Sequence, residues 1–201
     1  YTVTPENALE IAYQATTDKP TVINMTNHSY FNLSGNPAQN ILDHFLYVNA
    51  TCFTPVGRTL IPTGEMVPVA GTPMDFTTPK AIGKDIDSTG YEQIKYGNGY
   101  DHNWVLDTQG DMGTVAATLF SPESGIKLDV YTEEPGIQVY SGNFLDGKVT
   151  GKNGIVYQKR AAVCLETQHY PDSPNKQEWP TTALRPGETY TSHCTYKFST
   201  I

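Results

Sequence analysis

Two residues far apart in the chain carry the strongest chemical signal, His28 and Glu166. His28 stands in Thr26-Asn27-His28-Ser29-Tyr30-Phe31-Asn32-Leu33. A β-rich run, Thr21-Val22-Ile23-Asn24-Met25, precedes it, and the turn formers Ser34-Gly35-Asn36-Pro37 follow. The pattern predicts a strand over 21–27 that runs into a loop at His28, where scaffolds commonly hold catalytic side chains. Residue type alone leaves a second reading open, a structural histidine satisfied by hydrogen bonds. Glu166 lies in Val163-Cys164-Leu165-Glu166-Thr167-Gln168. A carboxylate inside an apolar strand costs free energy unless it is compensated. It is therefore either a poised acid/base group or a salt-bridged strand residue facing solvent. With reference pKa values near ~6.5 for His and ~4.3 for Glu, the two make a pair that burial can tune for proton transfer at neutral pH.

Two further positions suit hydroxyl recognition. Asp101 sits in Tyr100-Asp101-His102-Asn103-Trp104, just after a glycine turn. A planar carboxylate accepts from two hydroxyls, and the neighbouring indole offers a face for sugar C–H groups. The plainer alternative is a turn aspartate beside a core tryptophan. Gln138 lies between Ile137 and Val139, so its amide points to the face opposite theirs. His169, Tyr170 and Trp179 follow Glu166 and either wall a pocket or cover the sheet edge. His28 with Asp101-His102 raises a metal reading. No His-x-His or His-x-x-x-His spacing accompanies them, so no metal is expected.

The elements that must position these groups read as strands. Residues 8–16 alternate, with Leu9, Ile11, Tyr13 and Ala15 on one face. Residues 115–120 and 126–132 form a hairpin around Ser121-Pro122-Glu123-Ser124-Gly125, and 46–50, 136–141, 161–167 and 189–199 are further strands. Residues 58–65 and 67–69 are extended but broken by proline, as edge segments are. A strand restarts at Trp104, and 80–86 suits one helical turn. No stretch of ten residues holds a helical period, and the expectation is one all-β domain over 1–201.

Composition agrees. The 201 residues include 17 Gly, 14 Pro and 13 Tyr, the signature of short strands joined by many turns. The net charge is −8 without a Lys/Arg cluster, which argues against nucleic acid. No run of about 18 apolar residues exists to span a membrane as a helix. Cys52, Cys164 and Cys194 form no Cys-x-x-Cys pair, and their odd number suggests free thiols in a reducing, cytoplasmic compartment.

The stretches Thr26–Leu33, Gly99-Tyr100-Asp101-His102-Asn103, Gly142-Asn143-Phe144-Leu145-Asp146-Gly147, Leu165-Glu166-Thr167-Gln168 and Leu184-Arg185-Pro186-Gly187-Glu188-Thr189-Tyr190 come in one order along the chain. In these motifs the chain resembles the aldose 1-epimerase (galactose mutarotase) family. That resemblance implies a large antiparallel β-sandwich, the supersandwich, and interconversion of the α and β anomers of free hexoses such as galactose and glucose. By the same resemblance, Glu166 matches the general base on the anomeric hydroxyl. His28 matches the acid on the ring oxygen, and Asp101 and Gln138 match sugar ligands. No cofactor or covalent intermediate is implied. Family members are longer, and the likeness is to their C-terminal part. The family's upstream arginine and the histidine of a His-Gly-Gly stretch have no counterpart here. The resemblance thus implies an upstream segment or a second chain that completes the sandwich, without which the chain is at best weakly active. The competing function is a non-catalytic sugar-binding or sensing module. A relative acting on sugar phosphates ranks last, because no phosphate-gripping Arg/Lys pair lies near the motifs.

Overall fold

Fifteen strands, most of them short, make two antiparallel sheets and one separate pair. The computed structural model describes residues 1–201. In chain order the first strands are β1 (Thr2–Val3), β2 (Ala8–Ala15), β3 (Thr21–Val22), β4 (Tyr30–Phe31) and β5 (Phe45–Val48). Next come β6 (Cys52–Thr54), β7 (Val67–Pro68), β8 (Lys80–Ala81), β9 (Asp101–Val105) and β10 (Ala117–Phe120). The last are β11 (Ile126–Thr132), β12 (Gly136–Tyr140), β13 (Val163–Gln168), β14 (Ala183–Leu184) and β15 (Tyr190–Thr200). A seven-stranded sheet has the order β1-β2-β15-β11-β10-β5-β8. A six-stranded sheet has the order β4-β13-β12-β9-β6-β7, and β14 pairs with β3.

The hairpin read from sequence is β10 and β11, with Ala117 opposite Val130 and Phe120 opposite Lys127. Gly125, at φ +72°, supplies the left-handed residue its turn requires. Thr118 donates to Asp129 across the pair at 2.6 Å, so the polar face is satisfied too. The opposite face delivers Leu119, Leu128 and Val130 to the core. From the six-stranded sheet come Phe53, Trp104, Ile137, Val139 and Leu165, all fully buried. Removing each such side chain from water contributes roughly 1.5–3 kcal/mol before entropy is counted. The Tyr196 hydroxyl of β15 donates to the Leu165 carbonyl of β13 at 2.6 Å, fixing the two sheets to each other.

Some local expectations are corrected and others are met. The strand over 21–27 is only β3: past the Ile23 N–H, which donates to the Thr182 carbonyl at 2.8 Å, the chain leaves the ladder and Asn24 bonds the His169 backbone through its side chain. His28 therefore precedes a short strand, β4, rather than ending a long one. Asp101 opens β9 and is not a turn residue. A six-residue helix, α1 (Glu92–Gly97), is closed by Asn98 in the left-handed region at φ 54°. It is too short to display a period. Within 80–86 the single helical turn is a 3-10 turn, Ile82–Lys84. The three cysteines are free thiols, and no helix is long and apolar enough to cross a membrane.

Candidate active site

Strands β9, β12 and β13 lie side by side, and their pleat sorts residues onto two faces. Gln138 stands between Asn103 and Glu166, and Tyr140 between Asp101 and Cys164. Cys164 in turn faces Tyr30 of β4. One face thus carries Asp101, Asn103, Gln138, Tyr140, Cys164 and Glu166. The opposite face carries His102, Trp104, Ile137, Val139 and Leu165 into the core. Gly136 keeps the polar face open: a Cβ there would stand 2.5 Å from Asn103 Oδ1 and 2.9 Å from the Tyr170 ring.

A cleft of about 390 Å³ opens over this polar face, the size of a small polar ligand. His28 and Glu166 meet in it, with His28 Nε2 3.5 Å from Glu166 Oε1. Asp101 Oδ1 accepts from Gln138 Nε2 at 2.8 Å, and Gln138 Oε1 accepts from Gln168 Nε2 at 3.3 Å. All four residues selected from sequence line this one cleft. No lysine or arginine does.

The sequence folds this way locally for identifiable reasons. Asn143 donates to the carbonyls of Gly97 and Tyr100 at 2.9 and 2.8 Å and accepts from Ser141 at 2.7 Å. Gly99, at φ +134°, passes directly against the Asn143 side chain. This knot holds the turn from which Asp101 enters β9. His28 sits between two anchors, one on β13 and one on the residue that follows it. Asn24 exchanges two hydrogen bonds with the His169 backbone, and Tyr30 pairs with Cys164. The Tyr30 ring stacks on His28 at 5.1 Å, and the Tyr140 edge lies 6.1 Å away.

The electrostatics favour proton transfer. Burial raises the Glu166 carboxyl to about 7; His28 opposes the rise and Asp101 adds to it. Burial also raises Asp101, against the Gln138 hydrogen bond and His28. Glu166 is thus ready to exchange a proton near neutrality. His102 is different: wholly buried, it is pushed down to about 3 by desolvation and takes no part in the cleft.

The expected indole platform is not there. Trp104 is fully buried and donates to the Met74 carbonyl at 3.0 Å. Its place as an aromatic wall is taken by Tyr30, Tyr140 and the exposed Phe144, whose ring stacks on Tyr140 at 6.2 Å. Tyr30 and Phe144 lie in the motifs that contain His28 and Asn143, so the signal was present but unassigned. Gln168 and Pro171 complete the lining. His169 faces elsewhere, with Nδ1 2.5 Å from the buried Glu134 carboxylate. Tyr170 and Trp179 pack edge to face at 5.4 Å and cover the sheet.

A model of the aldose 1-epimerase family matches residues 1–197. The chain belongs to the aldose 1-epimerase family. It is 44% identical over 191 residues to galactose mutarotase from Homo sapiens, covering 95% of this chain and 54% of that protein. Aldose 1-epimerase from Escherichia coli strain K12 is 40% identical over 201 residues, covering 98% of this chain and 57% of the relative. Among solved structures, a GalM/aldose epimerase homologue from C. elegans superposes with a TM-score of 0.84 at 32% identity, over 100% of this chain and 58% of that one. Galactose 1-epimerase from Lactobacillus acidophilus NCFM gives 0.82 at 32% identity, over 98% and 55%. The fold is therefore the antiparallel β-sandwich of aldose 1-epimerases. The chain spans about half the length of these relatives.

Proposed function

We propose that this chain carries the acid/base centre of an aldose 1-epimerase, acting on free hexoses such as galactose and glucose. The observation that carries the reading is the His28–Glu166 pair, 3.5 Å apart on one side of a hydroxyl-binding cleft. The anomeric hydroxyl and the ring oxygen of an aldose are bonded to the same carbon, so a base and an acid this close can serve both. Glu166 removes the proton from the anomeric hydroxyl while His28 delivers one to the ring oxygen. The C1–O5 bond breaks, the open aldehyde turns about C1–C2, and the reverse transfers close the ring on the other face. Each positioned group typically contributes on the order of 10²–10⁴-fold. Asp101 and Gln138 bind other hydroxyls, and their mutual hydrogen bond orients both before a sugar arrives. The absence of a basic side chain from the lining suits a neutral sugar better than a sugar phosphate.

An upstream segment or a second chain that completes the site belongs to this reading. It is supported by the share of the relatives that is matched and by β1 and β4, the outer strands of the two sheets. The free thiols suit a reducing compartment such as the cytoplasm. The second reading, a sugar-binding or sensing module, is favoured by the same matched share. Polarimetry of freshly dissolved α-galactose, run beside calorimetric titration of the sugar with the upstream segment of a relative joined in cis, separates the two. Rate enhancement with binding supports the enzyme, and binding without enhancement supports the module.

A further inference from the structure

The mechanism above gives Cys164 no task, yet its thiol lies beside both proton-transfer groups. His28 Nε2, Cys164 Sγ and one Glu166 carboxylate oxygen all stand within 4.8 Å of one another. Cys164 and Glu166 are two residues apart on β13 and share its cleft face, so their side chains project in parallel. His28 approaches from the separate 23–29 segment, with half of its side chain exposed.

We propose that His28, Cys164 and Glu166 form a three-donor seat for a zinc-class divalent cation, which on binding shuts the catalytic pair off from sugar. Two light donor atoms held about 2.0–2.2 Å from one tetrahedral zinc stand about 3.4 Å apart. The 3.5 Å between His28 and Glu166 already meets that spacing. Closing the thiolate corner takes a movement of about 1 Å to reach the usual Zn–S length near 2.3 Å. A mixed nitrogen, sulfur and oxygen set suits borderline-soft zinc and disfavours magnesium and calcium, which take oxygen ligands. Three protein donors leave a fourth position facing the cleft, open to water. As the sulfur–metal bond forms, the thiol proton passes to solvent and no electron moves. The ion is an inhibitor here: it takes the lone pair that Glu166 needs as a base and the nitrogen from which His28 donates. The binding claim stands apart from the epimerase reading, and only its effect on turnover rests on that reading.

The test uses the 201-residue chain, kept reduced with a phosphine, and Co²⁺ as a coloured zinc surrogate. A near-ultraviolet thiolate-to-cobalt band should grow to a single equivalent and vanish on adding Zn²⁺. Cys164→Ala should remove the band and Cys52→Ala should keep it. His28→Ala, at a half-exposed position outside the strands, should weaken Co²⁺ binding by at least the 10–100-fold typical of outer-shell losses. Circular dichroism verifies folding of each variant. In polarimetry with the upstream segment of a relative joined in cis, Zn²⁺ should inhibit competitively with sugar and chelator should reverse it, while Cys164→Ala keeps its basal rate and loses the inhibition. The proposal is overturned if no thiolate band appears, or if the band or the zinc inhibition survives in folded Cys164→Ala. Cobalt binding with no catalysis in the chain completed by the upstream segment would instead count against the epimerase reading alone.

Discussion

Asn24 and His169 hold each other by two hydrogen bonds. The Asn24 amide donates to the His169 carbonyl at 2.8 Å, and the His169 backbone N–H donates to Asn24 Oδ1 at 3.0 Å. The chain between Asn24 and Tyr30 is thus fastened to His169, just past β13, at one end and to Cys164 of β13 at the other, and His28 stands between them, beside Glu166. His169 is itself pinned by the buried Glu134, which also accepts from Ser192 at 2.5 Å. We expect Asn24→Ala to cost only about 1 kcal/mol of stability, since Asn24 is exposed and two modest bonds are lost. Its effect on rate should be larger, because a misplacement of ~1 Å costs about 10²-fold. Polarimetry should show kcat falling at least tenfold with a small change in Tm. In a His28→Ala background the same substitution should add nothing, and a full additional loss there would break the link to His28.

Asp101→Asn should weaken sugar binding more than it disturbs folding. Asp101 opens β9 with its carboxylate toward the cleft, so the change leaves no core cavity. Charge-assisted hydrogen bonds worth roughly 1.5–3 kcal/mol are lost. Calorimetry should show galactose affinity falling by about tenfold or more, and unaltered affinity would remove Asp101 from the binding set.

The raised Glu166 pKa links rate and stability in opposite senses. The folded carboxyl titrates at about 7 against a reference of 4.5, so between these values the folded protein binds more protons than the unfolded chain. Stability therefore falls as pH rises through 4.5 to 7, by on the order of 3 kcal/mol at most. The base must be ionised to act, so the rising limb of kcat/KM should have its midpoint near 7, and loss of the His28 proton should bend the profile down again at higher pH. Glu166→Gln should flatten this part of the stability profile, as measured by denaturant melts from pH 5 to 8. A slope unchanged by the substitution would assign the titration to another group.

Much of this architecture was legible in the residues. The alternation in β2, the β10–β11 hairpin and the outward glutamine of β12 are single-sheet properties, and a period of two reports them directly. Segment 23–29 was misread because β propensity says nothing about a ladder partner; here Asn24 takes the place of one. Trp104 was misread for a related reason. It neighbours Asp101 in sequence, but three residues along a strand lies the opposite face, and that face is the core. The nearness of Cys164 to His28 and Glu166 depends on how β4, β13 and the 23–29 segment converge, and no local pattern encodes that convergence.

The central claim is that His28 and Glu166 are the acid and base of anomer exchange. The most direct measurement is the polarimetric rate on fresh α-galactose for the wild-type sequence, His28→Ala and Glu166→Gln. It should be made with the upstream segment of a relative joined in cis, so that the proposed complete site is present, and with folding checked by circular dichroism. Catalysis is expected in the wild type, with a loss of at least ~10²-fold in each variant and folding intact. Folded variants that keep the wild-type rate would contradict it.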